Sequence, residues 1–349
     1  MKKFPAVTVI MPVRNEGAFI ARSLGAVLRQ DYPSDHIEII VSDGMSTDGT
    51  RDLVRSLQND YPGLRLIDNP GKIAPTALNT ALALAKGEII VRVDGHCEIA
   101  PDYVRNCVEH LLRGEVDGVG GPLETVGETY IAQVISAAMS SSFGVGGSAF
   151  RTVKDKTVLT DTVAFPAYTR RIIERAGLYD EELVRNQDDE YNYRLRKLGA
   201  KILLASDVKS RYYSRSSLRS LWRQYFQYGY WKVRVMQKHP RQMQPRQFVP
   251  ALFVSALLVG QCLALLSPIG TWVLGTGVGA YATANLAASL LTSRRAGWRL
   301  LPLLPVAFAI LHLAYGLGFI TGLVRFRHLW GKDKMSECTG SQISSVKQV

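Results

Sequence analysis

The 349-residue chain has only four cysteines, Cys97, Cys107, Cys262 and Cys338, and none falls in a paired or metal-ligand spacing. That excludes a disulfide scaffold and a cysteine zinc site, and the four read as reduced thiols. No signal-peptide pattern precedes the first strand-like run, Val7-Thr-Val-Ile-Met11, so the first part of the chain is expected in the cytosol. Acids are missing where bases crowd. Between Lys209 and Arg246 there are ten Lys or Arg and no Asp or Glu, in a chain of net charge +12. A glycine-rich loop, Phe143-Gly-Val-Gly-Gly147-Ser, lacks the Lys-Ser/Thr of a P-loop. It carries no nucleotide argument, only a backbone that can approach a ligand closely. Charge is missing altogether from 249–266, 271–291 and 300–324, which excludes a purely soluble protein.

What is present begins with alternation. Strand patterns at 7–11, 37–41, 64–67 and 88–93 alternate with helical patterns at 17–29, 50–58, 76–85 and 101–113. Pro101 opens the last of these, since proline is favoured at the first helical position. Such alternation predicts an α/β fold with a parallel sheet and helices on both faces. In such sheets ligands bind beyond the carboxyl ends of the strands. Three polar clusters follow strands here: Pro12-Val-Arg-Asn-Glu16, Ser42-Asp43-Gly-Met-Ser-Thr-Asp48-Gly-Thr50 and Asp94-Gly-His96. They are expected to converge on one rim. An acid and a His two residues apart on the loop leaving a strand can share a divalent cation, although a plain polar turn reads the same way.

Further on, Arg185-Asn-Gln-Asp188-Asp-Glu190 precedes Tyr191-Asn-Tyr-Arg-Leu-Arg-Lys-Leu-Gly199. The acids belong to the first turn of a helix that Gly199 can end, where the macrodipole favours negative charge. Helix capping and catalysis compete as reasons for them. From 217 to 238 the pattern is amphipathic, with Leu218, Leu221, Trp222, Tyr225, Phe226, Gly229 and Val233 on one side and Arg219, Arg223, Arg234 and Lys238 on the other. Such a helix suits a membrane interface or a nucleic acid. The membrane is favoured because the next residues are the uncharged runs, each close to or beyond the roughly 20 residues that cross a bilayer. All three segments flanking those runs are basic, which three full spans cannot reconcile with the positive-inside rule. Two or three runs are therefore expected to span, with the third, holding Pro302 and Pro305, the likelier irregular one.

This order of motifs resembles the family 2 glycosyltransferases, inverting enzymes with a GT-A nucleotide-sugar-binding fold. Among them it is most similar to membrane-anchored enzymes that assemble succinoglycan-type exopolysaccharide on a lipid carrier. The resemblance implies a Rossmann-like, mostly parallel catalytic domain over 1–210, a basic interface helix region over 211–247, a membrane region over 248–325 and a polar tail over 326–349. It places Pro12, Asn15 and Glu16 along the nucleoside pocket, with Glu16 near the ribose, and makes Asp43 an acceptor for the uracil ring. Lys72 and Asn79 match a stretch that touches the donor. Asp94 and His96 stand at the family's Asp-x-Asp position, so Asp94 contacts both the donor and the metal, Mn²⁺ or Mg²⁺. His96 replaces the second acid, and imidazole suits Mn²⁺.

Asp188 matches the catalytic base, preceded by Gln187 where Glu is usual, with Glu190 supporting it by orienting or binding the acceptor. Gly146, Gly147, Asp189, Gln224 and Trp222 are assigned to the acceptor side. Gln224-Tyr-Phe-Gln227-Tyr228 stands where processive members carry Gln-x-x-Arg-Trp, which favours adding one sugar per encounter. The implied partners are a UDP-sugar, UDP-glucose first, a polyprenyl-diphosphate-linked saccharide and membrane lipids, without nucleic acid. The implied location is the inner membrane, multi-pass, with the catalytic domain facing the cytoplasm. Transfer to polyprenyl phosphate and an inactive nucleotide-binding scaffold are the alternatives.

Overall fold

The computed structural model describes residues 4–153 and 155–330. The chain divides into two compact units that meet between Ser216 and Ser217.

The first unit opens with β1 (Val7–Val13), α1 (Ile20–Leu28), β2 (Ile37–Asp43), α2 (Thr50–Gln58), β3 (Leu64–Asp68), α3 (Ala74–Leu84) and β4 (Ile89–Arg92). These are the alternating elements that the periodicity predicts. β5 (Cys97–Ile99), α4 (Tyr103–Leu112), β6 (Gly118–Gly121) and β7 (Leu123–Val126) follow. Next come α5 (Tyr130–Met139) and the short helices α6 (Ser142–Val145) and α7 (Ala149–Thr152). The unit closes with β8 (Val158–Leu159), β9 (Ala164–Thr169), α8 (Arg170–Ala176), α9 (Gln187–Lys197), β10 (Ile202–Leu204) and β11 (Ser210–Tyr213).

The main sheet has the order β3-β2-β1-β4-β9-β6-β10-β8, and a small sheet has the order β5-β11-β7. β3, β2, β1 and β4 are mutually parallel, and β10 runs parallel to β6. The mostly parallel sheet that the resemblance implies has its antiparallel pairings at β8, against β10, and at β9, which pairs antiparallel with both β4 and β6. That strand was illegible because Pro166 interrupts its apolar run, and proline argues against an interior strand. The core is apolar and closed. Val9, Met11, Val41 and Val91 are completely buried, as strands covered on both faces require.

The second unit consists of α10 (Leu218–Lys238), α11 (Val249–Leu266), α12 (Pro268–Ala296) and α13 (Leu304–Arg325). α10 starts where the Ser217 side chain accepts the Ser220 amide. α13 begins later than position 300, the start of the uncharged run, with Pro305 in its first turn, where a missing N–H costs nothing. α11 and α12 form a hairpin in which Phe253 stacks on Tyr281 at 4.4 Å. The apolar side of α10, expected to suit a membrane interface, has a protein partner along part of its length. That side packs backbone to backbone on α13: a Cβ on Gly229 would lie 2.0 Å from the Tyr315 carbonyl oxygen. Among the described residues two helices, α11 and α13, are long and apolar enough to cross a membrane by length and composition, and α12, rich in Gly, Ala and Thr, falls short.

Candidate active site

The three polar clusters leave the ends of adjacent parallel strands β1, β2 and β4, so the register carries them to one rim. They are laced together. Asn15 donates its amide to Ser46 Oγ at 2.8 Å, and its Oδ1 accepts the Thr47 amide at 2.9 Å. The Glu16 amide bonds Thr50 Oγ1 at 2.9 Å, and Gly17 donates to Asp48 Oδ2 at 2.9 Å. Asp48 also accepts from Thr50, so it holds the turn into α2, and those bonds, set against some burial, keep its carboxyl below the usual range. Asn15, Met45, Lys72 and Asn186 are non-glycine residues at φ between 53° and 62°. Backbone strain of this kind gathers where a loop is held for a task.

Asp43, at the end of β2, is completely buried. Its Oδ2 accepts from the Ser46 amide at 2.9 Å and from Arg51 at 2.8 Å, while Arg51 also reaches Asp68 at 2.6 Å. Its Oδ1 is buried with no partner among the described residues. A buried carboxylate oxygen without a donor is costly unless a ligand supplies one. A nucleobase N–H is such a donor, so the geometry agrees with the role expected of Asp43. Pro12 lies on β1 opposite Ser42, beside this pocket. The Lys72 side chain is exposed, and its carbonyl accepts from Arg14 at 3.0 Å.

Asp94 is gripped by Arg92. The Nε and Nη2 of the guanidinium donate to its two oxygens at 2.8 and 3.0 Å. Burial pushes Asp94 up, but the Arg92 cation outweighs it and holds the carboxyl below its ordinary range, with His96 and Arg185 adding to the effect. Arg92 in turn feels Asp188, and Tyr179, pushed up to about 12 by burial, feels Arg92, Asp188 and Asp94. The proposed metal carboxylate and the proposed base therefore share one electrostatic neighbourhood, with a buried cation between them. Arg92 was missed in reading for motifs. Its signal was available: a lone charge inside the apolar strand Ile89-Ile-Val-Arg92.

His96 Nδ1 lies 2.8 Å from Glu16 Oε1, and each side chain is 19% exposed. One oxygen of Glu16, the residue expected near the ribose, is thus engaged by the imidazole. A carboxylate on Nδ1 fixes the tautomer that leaves the Nε2 lone pair for a cation. No group of three His, Cys, Asp or Glu surrounds a common point among the described residues. Asp94 and His96 alone fit a metal that takes its other ligands from substrate phosphates and water, as Mg²⁺ and Mn²⁺ commonly do.

Asp188 starts α9, is exposed, and one oxygen accepts the Asp189 amide at 2.9 Å. Its other oxygen has no partner among the described residues. Asp189 is half-buried beside it. Two expected site residues nearby are held from within the fold. Glu190 is buried and pairs through both oxygens with Arg194, at 2.6 and 3.0 Å, which braces α9. Asn79 is also buried and holds the Tyr179 backbone through both ends of its amide, at 2.9 and 2.8 Å, which ties α3 to the loop before α9. Gly146 and Gly147 both sit at positive φ between α6 and α7, as a tight reversal requires. Gln224 and Trp222 lie on α10 in the second unit, where Gln224 Nε2 donates to the Tyr228 hydroxyl at 2.9 Å. Cys97 and Cys107 are buried free thiols, Cys262 is an exposed one, and Cys338 lies outside the described residues.

The model of the glycosyl transferase family 2 matches residues 8–176. The chain is 31% identical to the succinoglycan biosynthesis protein ExoA of Rhizobium meliloti, over 91% of this chain and 95% of that protein. It is 29% identical, over 66% of this chain and 74% of the relative, to the dolichyl N-acetyl-alpha-D-glucosaminyl phosphate 3-beta-D-2,3-diacetamido-2,3-dideoxy-beta-D-glucuronosyltransferase of Methanococcus voltae. Among solved structures it is similar to the mannosyltransferase PcManGT of Pyrobaculum calidifontis in complex with GDP-Man and Mn²⁺. That match has a TM-score of 0.57 at 25% identity and covers 92% of this chain and 88% of that one. S. aureus TarS 1–349 shares the fold at a TM-score of 0.52 and 17% identity, over 90% of each chain. With these strand-end clusters on a mostly parallel sheet, the chain belongs to glycosyltransferase family 2 and has its GT-A fold.

Proposed function

We propose that the protein transfers one sugar from a UDP-sugar, UDP-glucose first, to a polyprenyl-diphosphate-linked saccharide at the cytoplasmic face of the membrane, forming a β-linkage in exopolysaccharide or envelope glycan synthesis. The observation that carries this reading is the exposed Asp188 carboxylate within electrostatic reach of Arg92, the cation that grips Asp94. An inverting transfer needs one carboxylate open to an acceptor and another turned to the donor diphosphate. Asp188 takes the proton from the acceptor hydroxyl as its oxygen bonds the anomeric carbon and the bond to the diphosphate breaks. Asp43 receives the nucleobase through its unpartnered oxygen and fixes the donor's register. Asp94 and His96 would hold Mn²⁺ or Mg²⁺, with Glu16 orienting the imidazole and Arg92 keeping Asp94 ionised. When bound, that ion supplies positive charge to the leaving diphosphate.

The membrane part of the reading rests on the uncharged helices and on the second unit's basic flanks. The lipid-linked acceptor rests on the relatives, one of which is named for transfer to a dolichyl-phosphate-linked sugar. The test is UDP release by detergent-purified protein given UDP-glucose and a lipid extract, with and without Mn²⁺ or Mg²⁺. Release that needs metal, lipid, Asp94 and Asp188 is the expected result. Unchanged release by Asp188→Asn would remove the base and point to a lipid phosphate as the acceptor. No release with any common nucleotide sugar, despite bound UDP, would point to the scaffold.

A further inference from the structure

We propose that the second unit enters the bilayer only through the α11–α12 hairpin, which leaves from and returns to one face, while α13 stays on that face as a core helix across the hairpin's base. This rests on the membrane reading above and adds the topology that composition leaves open.

The contacts of α13 carry the argument. Near its start, Asn285 Nδ2 on α12 donates to the Pro305 carbonyl at 3.0 Å. One level on, the Tyr281 hydroxyl meets His312 Nδ1 at 3.0 Å. Its middle abuts the first turns of α11: a Cβ on Gly316 would lie 2.4 Å from the Pro250 carbonyl oxygen, and Phe319 meets the Phe248 ring at 5.9 Å. Over 305–319, about 20 Å of helix, these contacts of α13 with the hairpin fall at 248–254 of α11 and 281–285 of α12. Those two segments face each other across the hairpin through the Phe253–Tyr281 stack. Contacts gathered at one level of both arms are those of a helix that crosses the hairpin.

The rest of α13 is covered by α10. A Cβ on Gly318 would lie 2.0 Å from the Phe226 carbonyl oxygen, one on Gly322 2.6 Å from that of Tyr230, and Gln237 Nε2 donates to the Phe326 carbonyl at 2.8 Å. Numbers rise together on both helices, so they run parallel, and α10 brings Arg219, Arg223, Lys232, Arg234 and Lys238 alongside α13. A helix apolar all round is either lipid-immersed or a core helix. Burial separates the two cases here: 44% of the apolar stretch of α13 is buried in the structure, against 17% for α11.

The hairpin's outer arm is the opposite. Leu265, Leu266, Ile269 and Trp272 at the tip are 74–82% exposed, and no charge occurs from 249 to 293. The tip's polar groups are satisfied internally, with Ser267 Oγ accepting the Ile269 amide and Thr271 Oγ1 donating to the Ala264 carbonyl. Such a tip suits hydrocarbon. Charge supplies the orientation. Arg241 and Arg246 precede the hairpin, Arg294 and Arg295 end it and Arg299 follows, Arg325 ends α13 and Arg327 follows it, and no Asp or Glu occurs from 217 to 330. With α13 across the base, all three basic segments share one face and can meet anionic headgroups together.

The test places single exposed cysteines at Arg241→Cys, Arg295→Cys and His328→Cys in the full chain, with Cys262 and Cys338 replaced by Ser. Cys97 and Cys107 are kept, since burial pushes both thiols up and out of reach. A membrane-impermeant maleimide is applied to right-side-out and inside-out vesicles, with SDS-denatured samples confirming that each cysteine can react. All three reporters labelling in the same vesicle orientation is the expected result. His328→Cys labelling in the orientation opposite to Arg241→Cys, or in neither, would overturn the proposal. Release of the whole protein by alkaline carbonate would instead overturn the membrane reading beneath it.

Discussion

The two units solve opposite problems. In the first, carboxylates are plentiful and most are answered by a named partner: Asp43 by Arg51, Asp94 by Arg92, Glu190 by Arg194. One oxygen of Asp43 and one of Asp188 lack a partner among the described residues, and both stand where a ligand is expected. In the second, no acid occurs over 217–330, and close approach of backbones through Gly229, Gly316, Gly318 and Gly322 replaces charge pairing. Function in the first unit is carried by residue chemistry, and in the second by residue size. The two respond to different substitutions.

The sharpest way to break that contrast is Gly229→Leu. Its side chain has no room against the Tyr315 carbonyl, so overpacking should destabilise α10–α13 by about 3 kcal/mol. Limited proteolysis should cut the second unit at lower temperature while nucleotide binding by the first stays within about twofold. Loss of both together would show the contrast to be false. Asp43→Asn should weaken UDP binding by roughly 10–100-fold, the worth of a hydrogen bond to a charged group, as read by calorimetry, with the melting of the second unit unmoved.

Smaller effects separate the residues within the site. Glu16→Gln should lower Mn²⁺ affinity about tenfold, measured by Mn²⁺ electron paramagnetic resonance in the presence of UDP; an unchanged affinity would make the Glu16–His96 contact merely structural. Arg92→Met should lower the melting temperature most near neutral pH and shift its pH dependence below about 5 to a shallower slope. Asp94 is held low in the fold, so its contribution is complete above the ordinary carboxylate range near about 4. That contribution fades as pH falls through the lower folded value. With Met at 92 burial is opposed only by His96 and Arg185, the folded value rises, and less stability remains to be lost on acidification. Melting temperature followed from about pH 3 to 7 reads the shift.

The α/β alternation and the strand-end clusters were legible because buried parallel strands are uniformly apolar and their polar residues are confined to the ends. Asp43, Asp94 and His96 stand out for that reason, and Asp188 stands out in an acidic helix start. What sequence did not reveal was pairing. Asn79 and Glu190 have the side chains of site residues, yet α3 places one on the Tyr179 backbone and α9 places the other one turn from Arg194. Arg92 was hidden by the opposite error, a charge in an apolar strand passed over as part of the strand. In the second unit, hydropathy marks α11 and α13 alike, because a residue's apolarity does not record whether lipid or protein covers it.

The central claim is that Asp188 performs the chemistry while Asp43, Asp94 and His96 hold the donor. Its most direct test is a single-turnover comparison of wild type and Asp188→Asn with UDP-glucose, lipid extract and Mn²⁺, alongside UDP and Mn²⁺ affinities for both. The account predicts that transfer falls by about 10²–10⁴-fold while both affinities stay within about twofold. Transfer that survives in Asp188→Asn, or affinities that collapse with it, would contradict the division of labour between the two carboxylates.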